Sequence, residues 1–188
     1  TFSTSECPQS PCSMKALRPL TKSNPQLTQI ADFCSKLNMQ VRLTEIEMEM
    51  ASLVGCKRRA ESRAKNRQQP QGYNESDAWR NDIEGAAAEL AYCKATETYW
   101  PGSINSFKDA DCGKLTQIRQ THHLNGSLIV RDNDPDTHFY VLVVGHCPIF
   151  NIIGWIRGVD AKKNEFVRCP GDMNPAYFVP QKHLNKEW

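Results

Sequence analysis

The run Phe139-Tyr-Val-Leu-Val-Val144 restricts the fold more than any other stretch of this chain. A strand with one wet face alternates apolar and polar residues, whereas a run that is apolar at every position belongs to a central strand covered on both faces. Covering both faces takes two further layers. A chain of 188 residues supplies enough for one α/β domain with a real core and an appendage. An apolar fraction of 39% and a mean hydropathy of -0.58 suit a chain surrounded by water. No apolar run approaches the roughly 18 residues of a membrane span. No cationic segment followed by an apolar stretch marks a secretory signal.

Around this run the sequence predicts strands near 106–110, 115–122, 128–131 and 149–157. In Phe150-Asn-Ile-Ile-Gly-Trp-Ile156, Gly154 marks a bulge or a close backbone approach. Residues 160–166 read as a short helix. Tyr177-Phe-Val-Pro180 reads as an edge segment, because proline has no amide to give to a neighbour.

Two helices are expected ahead of the strands. Thr44-Glu-Ile-Glu47 is a capping box. It predicts a helix to about residue 66 whose buried stripe holds Ile46, Met50, Leu53 and Val54. A second helix is expected over 76–95, where Trp79, Ile83, Ala86, Ala87, Leu90 and Ala91 recur at helical spacing. Its small residues 85–88 allow close approach to a sheet. Glu84 and Glu89 lie about 140° apart around this helix, so one is expected at the sheet edge and the other in water. Residues 1–40, rich in Thr, Ser, Gln, Pro and Asn, read as an irregular arm, with helical spacing only over 26–37. Residues 41–188 read as the folded domain.

The eight cysteines are scattered through helices, strands and turns, with no C-x-x-C, which reads as reduced thiols rather than a disulfide framework or a zinc site. Net charge is only +2, but Arg58, Arg59, Arg63 and Arg67 cluster at the end of the first helix. Basic residues there complement the helix dipole and would also follow a phosphate backbone without reading sequence. Gly113-Lys114 lacks the glycine-rich loop of a P-loop. Asp132-x-Asp134-x-Asp136 starts like an EF-hand loop, but Thr137 stands where glycine is needed, so it reads as a turn between strands.

Glu89 on a helix, Asp111 at a turn, then Gln117 and Arg119 on one face of the next strand read by spacing alone first as a turn acid and the polar side of a half-exposed strand, and second as a constellation with chemistry. Mg²⁺ and Mn²⁺ favour oxygen donors. Asp111 offers a carboxylate, Gln117 and the Ile118 carbonyl offer neutral oxygens, and Glu89 would hold a metal-bound water. A bound divalent ion activates water and offsets charge on a phosphate, and Arg119 would orient that phosphate.

Ala88-Glu89-Leu-Ala91, Asp111 and Gln117-x-Arg119, in this order, resemble the motifs of the PD-(D/E)XK nuclease superfamily. Leu128-Ile-Val-Arg131-Asp-Asn-Asp-Pro135, Gly154-Trp-Ile-Arg157 and Ala176-Tyr-Phe-Val-Pro-Gln181 are similar to a group of phage and prophage proteins. The resemblance covers roughly residues 75–185. It implies a restriction-endonuclease-like core, a mixed central sheet flanked by helices. It further implies Mg²⁺- or Mn²⁺-dependent hydrolysis of DNA by Glu89, Asp111, Gln117 and Arg119, in the cytoplasm of a bacterial host. Two positions depart from the superfamily pattern. Gln117 replaces an acid, and Arg119 replaces a lysine and cannot serve as a base, with Lys94, Lys108 and Lys114 as substitutes by sequence proximity. These departures set a second expectation, a non-catalytic module that binds nucleic acid or a host or phage protein on a degenerate nuclease fold.

Overall fold

The computed structural model describes residues 39–67, 75–104, 109–170 and 174–188. The expected arm therefore lies outside the described residues, apart from its last two positions. In chain order the elements are β1 (Met39–Arg42), α1 (Glu45–Ala64), α2 (Glu75–Ala95), β2 (Thr116–Thr121), β3 (Leu128–Arg131), β4 (Phe139–His146), β5 (Ile149–Arg157), α3 (Gly158–Ala161), β6 (Val167–Arg168) and β7 (Ala176–Val179). Single 3-10 turns occupy Asn164–Phe166 and Gln181–His183. The strand expected near 106–110 falls largely outside the described residues, and 109–110 are not in a strand.

The apolar run becomes β4 and is covered on both faces, as its composition requires. Val141 and Val143 pack toward the helices with Ile118, Phe150, Ile152 and the Ala86–Ala88 stretch of α2. Tyr140, Leu142 and Val144 point the other way, onto Leu128, Val130 and Val179. Each large side chain buried this fully contributes about 1.5–3 kcal/mol. The main sheet has the order β1-β5-β4-β2. β2 runs parallel to β4, with Thr116 opposite Phe139 and Thr121 opposite Val144. β4–β5 and β5–β1 are antiparallel, so the sheet is mixed.

The covering layers depart from a central sheet flanked by helices alone. α1 and α2 cover one face, and a second sheet of order β3-β7-β6 covers the other. The reason lies in β3, where Leu128 and Val130 are buried while Ile129 and Arg131 are exposed. A strand with one wet face cannot enter a sheet buried on both sides, so β3 pairs with β7 instead. β7 is then the middle strand of its sheet rather than an edge. Pro180 is tolerated because it follows the last pair, Leu128 with Val179.

In β5 both readings of Gly154 hold. Leu142 pairs with Gly154 and Val143 with Ile152, so Ile153 is the extra residue of a bulge. A Cβ on Gly154 would lie 2.5 Å from the Asn185 carbonyl oxygen. That close approach lets Asn185 exchange backbone bonds of 2.9 and 2.8 Å with Trp155, strapping the end of the chain to the sheet.

The capping box of α1 is formed at both bonds, Glu47 N to Thr44 Oγ1 at 3.3 Å and Thr44 N to Glu47 Oε2 at 2.7 Å. The expected buried stripe holds only at Val54, which is half-buried against the core. Ile46, Met50 and Leu53 are 69%, 50% and 58% exposed, and the buried residues are Ala51, Gly55, Arg59 and Ser62. Small size wins over hydrophobicity here, because α1 and α2 meet backbone to backbone at Gly55. A Cβ at that position would lie 2.5 Å from the Ile83 Cα. Gly55→Ala is therefore expected to destabilise the protein by about 1–3 kcal/mol through overpacking. Gly85→Ala, with nothing within 4 Å of the new carbon, is expected to stabilise α2 by up to about 1 kcal/mol. Urea denaturation of the two variants checks this opposition in sign.

Candidate active site

β2 is the edge strand next to β4, and the segment before it folds back to close a turn. Gly113 sits at φ +60°, and the amides of Asp111 and Cys112 both donate to the Thr116 carbonyl, at 2.9 and 3.2 Å. The turn places the Asp111 carboxylate against the strand, where Oδ2 accepts the Ile118 amide at 2.7 Å. Ile118 itself points into the core beneath the helices. Gln117 and Arg119, two residues apart, share the opposite side of the strand. Gln117 Nε2 donates to the Asp109 carbonyl at 2.9 Å. Arg119 pairs with Asp134 at 3.0 Å and lies over the Tyr140 ring, 5.3 Å from its centroid.

Glu89 reaches the same region from α2 and is held by a fork. Arg58 of α1 donates to its two oxygens at 2.7 and 2.8 Å. Trp100 Nε1 adds a bond at 3.3 Å, and Arg58 Nε donates to the Ser103 carbonyl at 2.9 Å. The Gly55 contact one turn earlier in α1 sets the helix spacing that this fork needs.

Glu89, Asp111, Gln117 and Arg119 thus line one cleft of about 470 Å³, together with Arg58, Asp82, Asp109, Arg131, Asp134 and His138. Its charged lining comprises three guanidinium groups and five carboxylates, so an anionic ligand entering alone meets a net negative wall. Burial, and then the nearby Glu89 carboxylate, push the Asp111 carboxyl up to about 6, against the opposing pull of the Ile118 amide, Arg119 and Arg58. Burial pulls the Arg58 guanidinium down, but the Glu89 fork, with Asp111 and Asp82, outweighs it and holds the group above its usual range.

The four arginines of the basic cluster do not form one exposed row. Arg58 faces the cleft, and Arg59 is buried with its Nε 3.5 Å from Asp82. Arg63 is exposed and Arg67 half-buried. Among the substitute lysines, Lys94 bonds Glu47 and the Arg42 carbonyl, Lys114 is exposed on the turn, and Lys108 lies outside the described residues. Neither acid of α2 is left in water. Glu84 accepts the Cys147 amide at 2.9 Å at the β4–β5 turn, and Glu89 is 7% exposed.

The sequence reading missed Asp134 and His138 as cleft residues, and Arg58 as the partner of Glu89. The 132–136 segment is the expected turn. Lys162 sits in its cup and donates to the Asp132 and Asp134 carbonyls at 2.7 and 2.6 Å. Pairing of Asp134 with Arg119, fifteen residues away, has no local sequence signal.

The donors toward a divalent ion are all oxygens: the second oxygen of Asp111, the amide oxygen of Gln117, the Ile118 carbonyl and, once released by Arg58, Glu89. A carboxyl that holds its proton to about pH 6 beside a second carboxylate is a place where a cation fits. Among the described residues, no group of three or more His, Cys, Asp or Glu is gathered to hold a metal. Cys56, Cys93, Cys112 and Cys147 are free thiols. No helix among the described residues is long and apolar enough to cross a membrane. No protein-family model, curated protein or solved structure matches the chain.

Proposed function

We propose that the chain carries a restriction-endonuclease-like core of the PD-(D/E)XK type and hydrolyses phosphodiester bonds in DNA with Mg²⁺ or Mn²⁺. One observation carries this reading. Glu89 from α2, Asp111 from the turn, and Gln117 and Arg119 from β2 line a single cleft in which carboxylates outnumber guanidinium groups. A polyanion gains a favourable site there only with a divalent cation between it and the acids. Asp111 and Gln117 would hold that cation with the Ile118 carbonyl, Glu89 would hold one of its waters, and Arg119 would orient the phosphate. The bound ion supplies charge neutralisation and an acidified water. Arg63, exposed at the end of α1, would add a backbone-phosphate contact to DNA lying across the cleft.

The Arg58–Glu89 fork favours a second reading, in which Arg58 has taken over the cation's place and the cleft binds nucleic acid or a host or phage protein without cutting. Incubation of linear, nicked, supercoiled and single-stranded DNA with Mg²⁺ or Mn²⁺ separates the two. The first expects cleavage that Asp111→Ala abolishes, and the second expects binding, no cleavage and no heat of metal binding in calorimetry. Cleavage that survives Asp111→Ala would come from a contaminant and would refute the first.

A further inference from the structure

His138 lines the same cleft, and its main chain is held on both sides. Its amide donates to the Pro135 carbonyl at 3.3 Å, and its own carbonyl accepts the Gly158 amide at 2.9 Å. The 132–136 turn beside it is clamped by Lys162. Gly158 presses on that turn so closely that a Cβ there would lie 2.4 Å from the Pro135 oxygen. Its ring Nδ1 is buried without a hydrogen-bond partner among the described residues. Buried polar atoms are normally satisfied, so this one calls for a reason. With no protein bond at Nδ1 to select a tautomer, either ring nitrogen can carry the proton.

The cleft has need of such a group. Hydrolysis of a phosphodiester requires a proton to leave the attacking water. Arg119 cannot serve as a base, the Gln117 amide does not titrate, and Glu89 is already assigned to holding one of the cation's waters. Asp111 is assigned to the cation. Imidazole is the side chain whose ordinary titration spans neutral pH.

Resting on the hydrolase reading above, we propose that His138 is the proton acceptor of that reaction. As the water oxygen bonds to phosphorus, the water's proton passes to the imidazole. The bond from phosphorus to the leaving oxygen breaks, its electron pair stays on that oxygen, and the oxygen takes a proton from solvent. The imidazolium then returns its proton to bulk water. The charged groups sharing the cleft are Arg58 on α1, Asp82 and Glu89 on α2, Asp109 and Asp111 before β2, Arg119 on β2, Arg131 on β3 and Asp134 after it. Protonation of Asp111 near 6 slows cleavage with or without His138, so the role of His138 is tested by substitution and rescue rather than by the shape of the pH profile.

Single-turnover cleavage of fluorescein-labelled duplex by the full chain tests this from about pH 5 to about pH 9. Wild type is compared with Asp111→Ala, His138→Ala and His138→Gln. Both His138 variants are expected to cleave about 10²- to 10⁴-fold more slowly. They should bind the duplex like wild type in fluorescence anisotropy, and added imidazole should restore part of the rate of His138→Ala. Thermal melts report folding, and His138→Gln decides the matter if the alanine variant does not fold. His138 variants within about threefold of wild type, with cleavage still dependent on Asp111, would overturn the role of His138 and leave the hydrolase reading standing. No Asp111-dependent cleavage by wild type on any DNA form would overturn that reading and the role of His138 with it.

Discussion

Arg58→Ala is expected to lower folding stability by about 3–5 kcal/mol, the range for breaking a buried ion pair by deleting one partner. For a domain of this size that is a fall in Tm of about 10 °C. The two side chains are 14% and 10% exposed, so water does little to screen what remains. Deleting the guanidinium leaves Glu89 beside Asp111 and Asp82, all of which Arg58 neutralises, and it also removes the bond to the Ser103 carbonyl. Glu89→Ala costs less, because the remaining cation still faces Asp111 and Asp82. Arg58→Met combined with Glu89→Leu is expected to recover most of the loss, since an apolar pair of similar volume carries no desolvation penalty. Urea denaturation of the singles and the double forms a cycle whose coupling energy measures the fork. The same variant probes the cation site. Millimolar Mg²⁺ is expected to raise the Tm of Arg58→Ala more than that of wild type, because the ion then meets Glu89 without competition. Equal shifts would mean that the two carboxylates do not take a divalent ion together.

What was legible in the sequence was what is local. β4 was legible because it is apolar at every position, and the capping box because its two bonds span three residues. The turn and strand from Asp111 to Arg119 were legible for the same reason, since period-two spacing puts Gln117 and Arg119 on one side. Residues that meet across long separations were not. Arg58 read as part of a basic cluster because charge along a chain says nothing of a partner 31 residues on. Arg119 read as a phosphate-orienting cation, and nothing local signalled its pairing with Asp134 in the β3–β4 connection.

Two errors have a common physical source. Ile46, Met50 and Leu53 were expected in the core of α1 because hydrophobicity was weighed without size. The α1–α2 contact is decided by Gly55, where only a hydrogen atom fits. The alternation of Leu128 and Val130 with Ile129 and Arg131 was visible, but its consequence was not drawn. A half-wet strand next to a fully apolar one in sequence fits two sheets, with α1 and α2 on one face of the main sheet and the β3-β7-β6 sheet on the other.

Asp111→Asn is expected to make the protein more stable above pH 6 while abolishing cleavage. The folded Asp111 carboxyl titrates near 6 against an ordinary 3.8. Between those values the folded state binds the proton more tightly than the unfolded chain does, so stability falls as pH rises through this window. Above it the penalty is constant, at most about 3 kcal/mol for a shift of about two units, and below pH 4 it vanishes. Asparagine has no charge to lose to burial or to Glu89, and its carbonyl oxygen can still accept the Ile118 amide. The variant should therefore exceed wild type by about 1–3 kcal/mol at pH 8 and match it near pH 4 in urea denaturation followed at both pH values. A variant less stable than wild type at pH 8 would mean that the bond from Ile118 outweighs the repulsion. Adding Mg²⁺ should narrow or reverse the difference at pH 8, since the ion binds the ionised carboxylate of the wild type and finds only a weaker amide oxygen in the variant. The destabilisation that ionised Asp111 imposes is then the same repulsion that a bound cation would relieve.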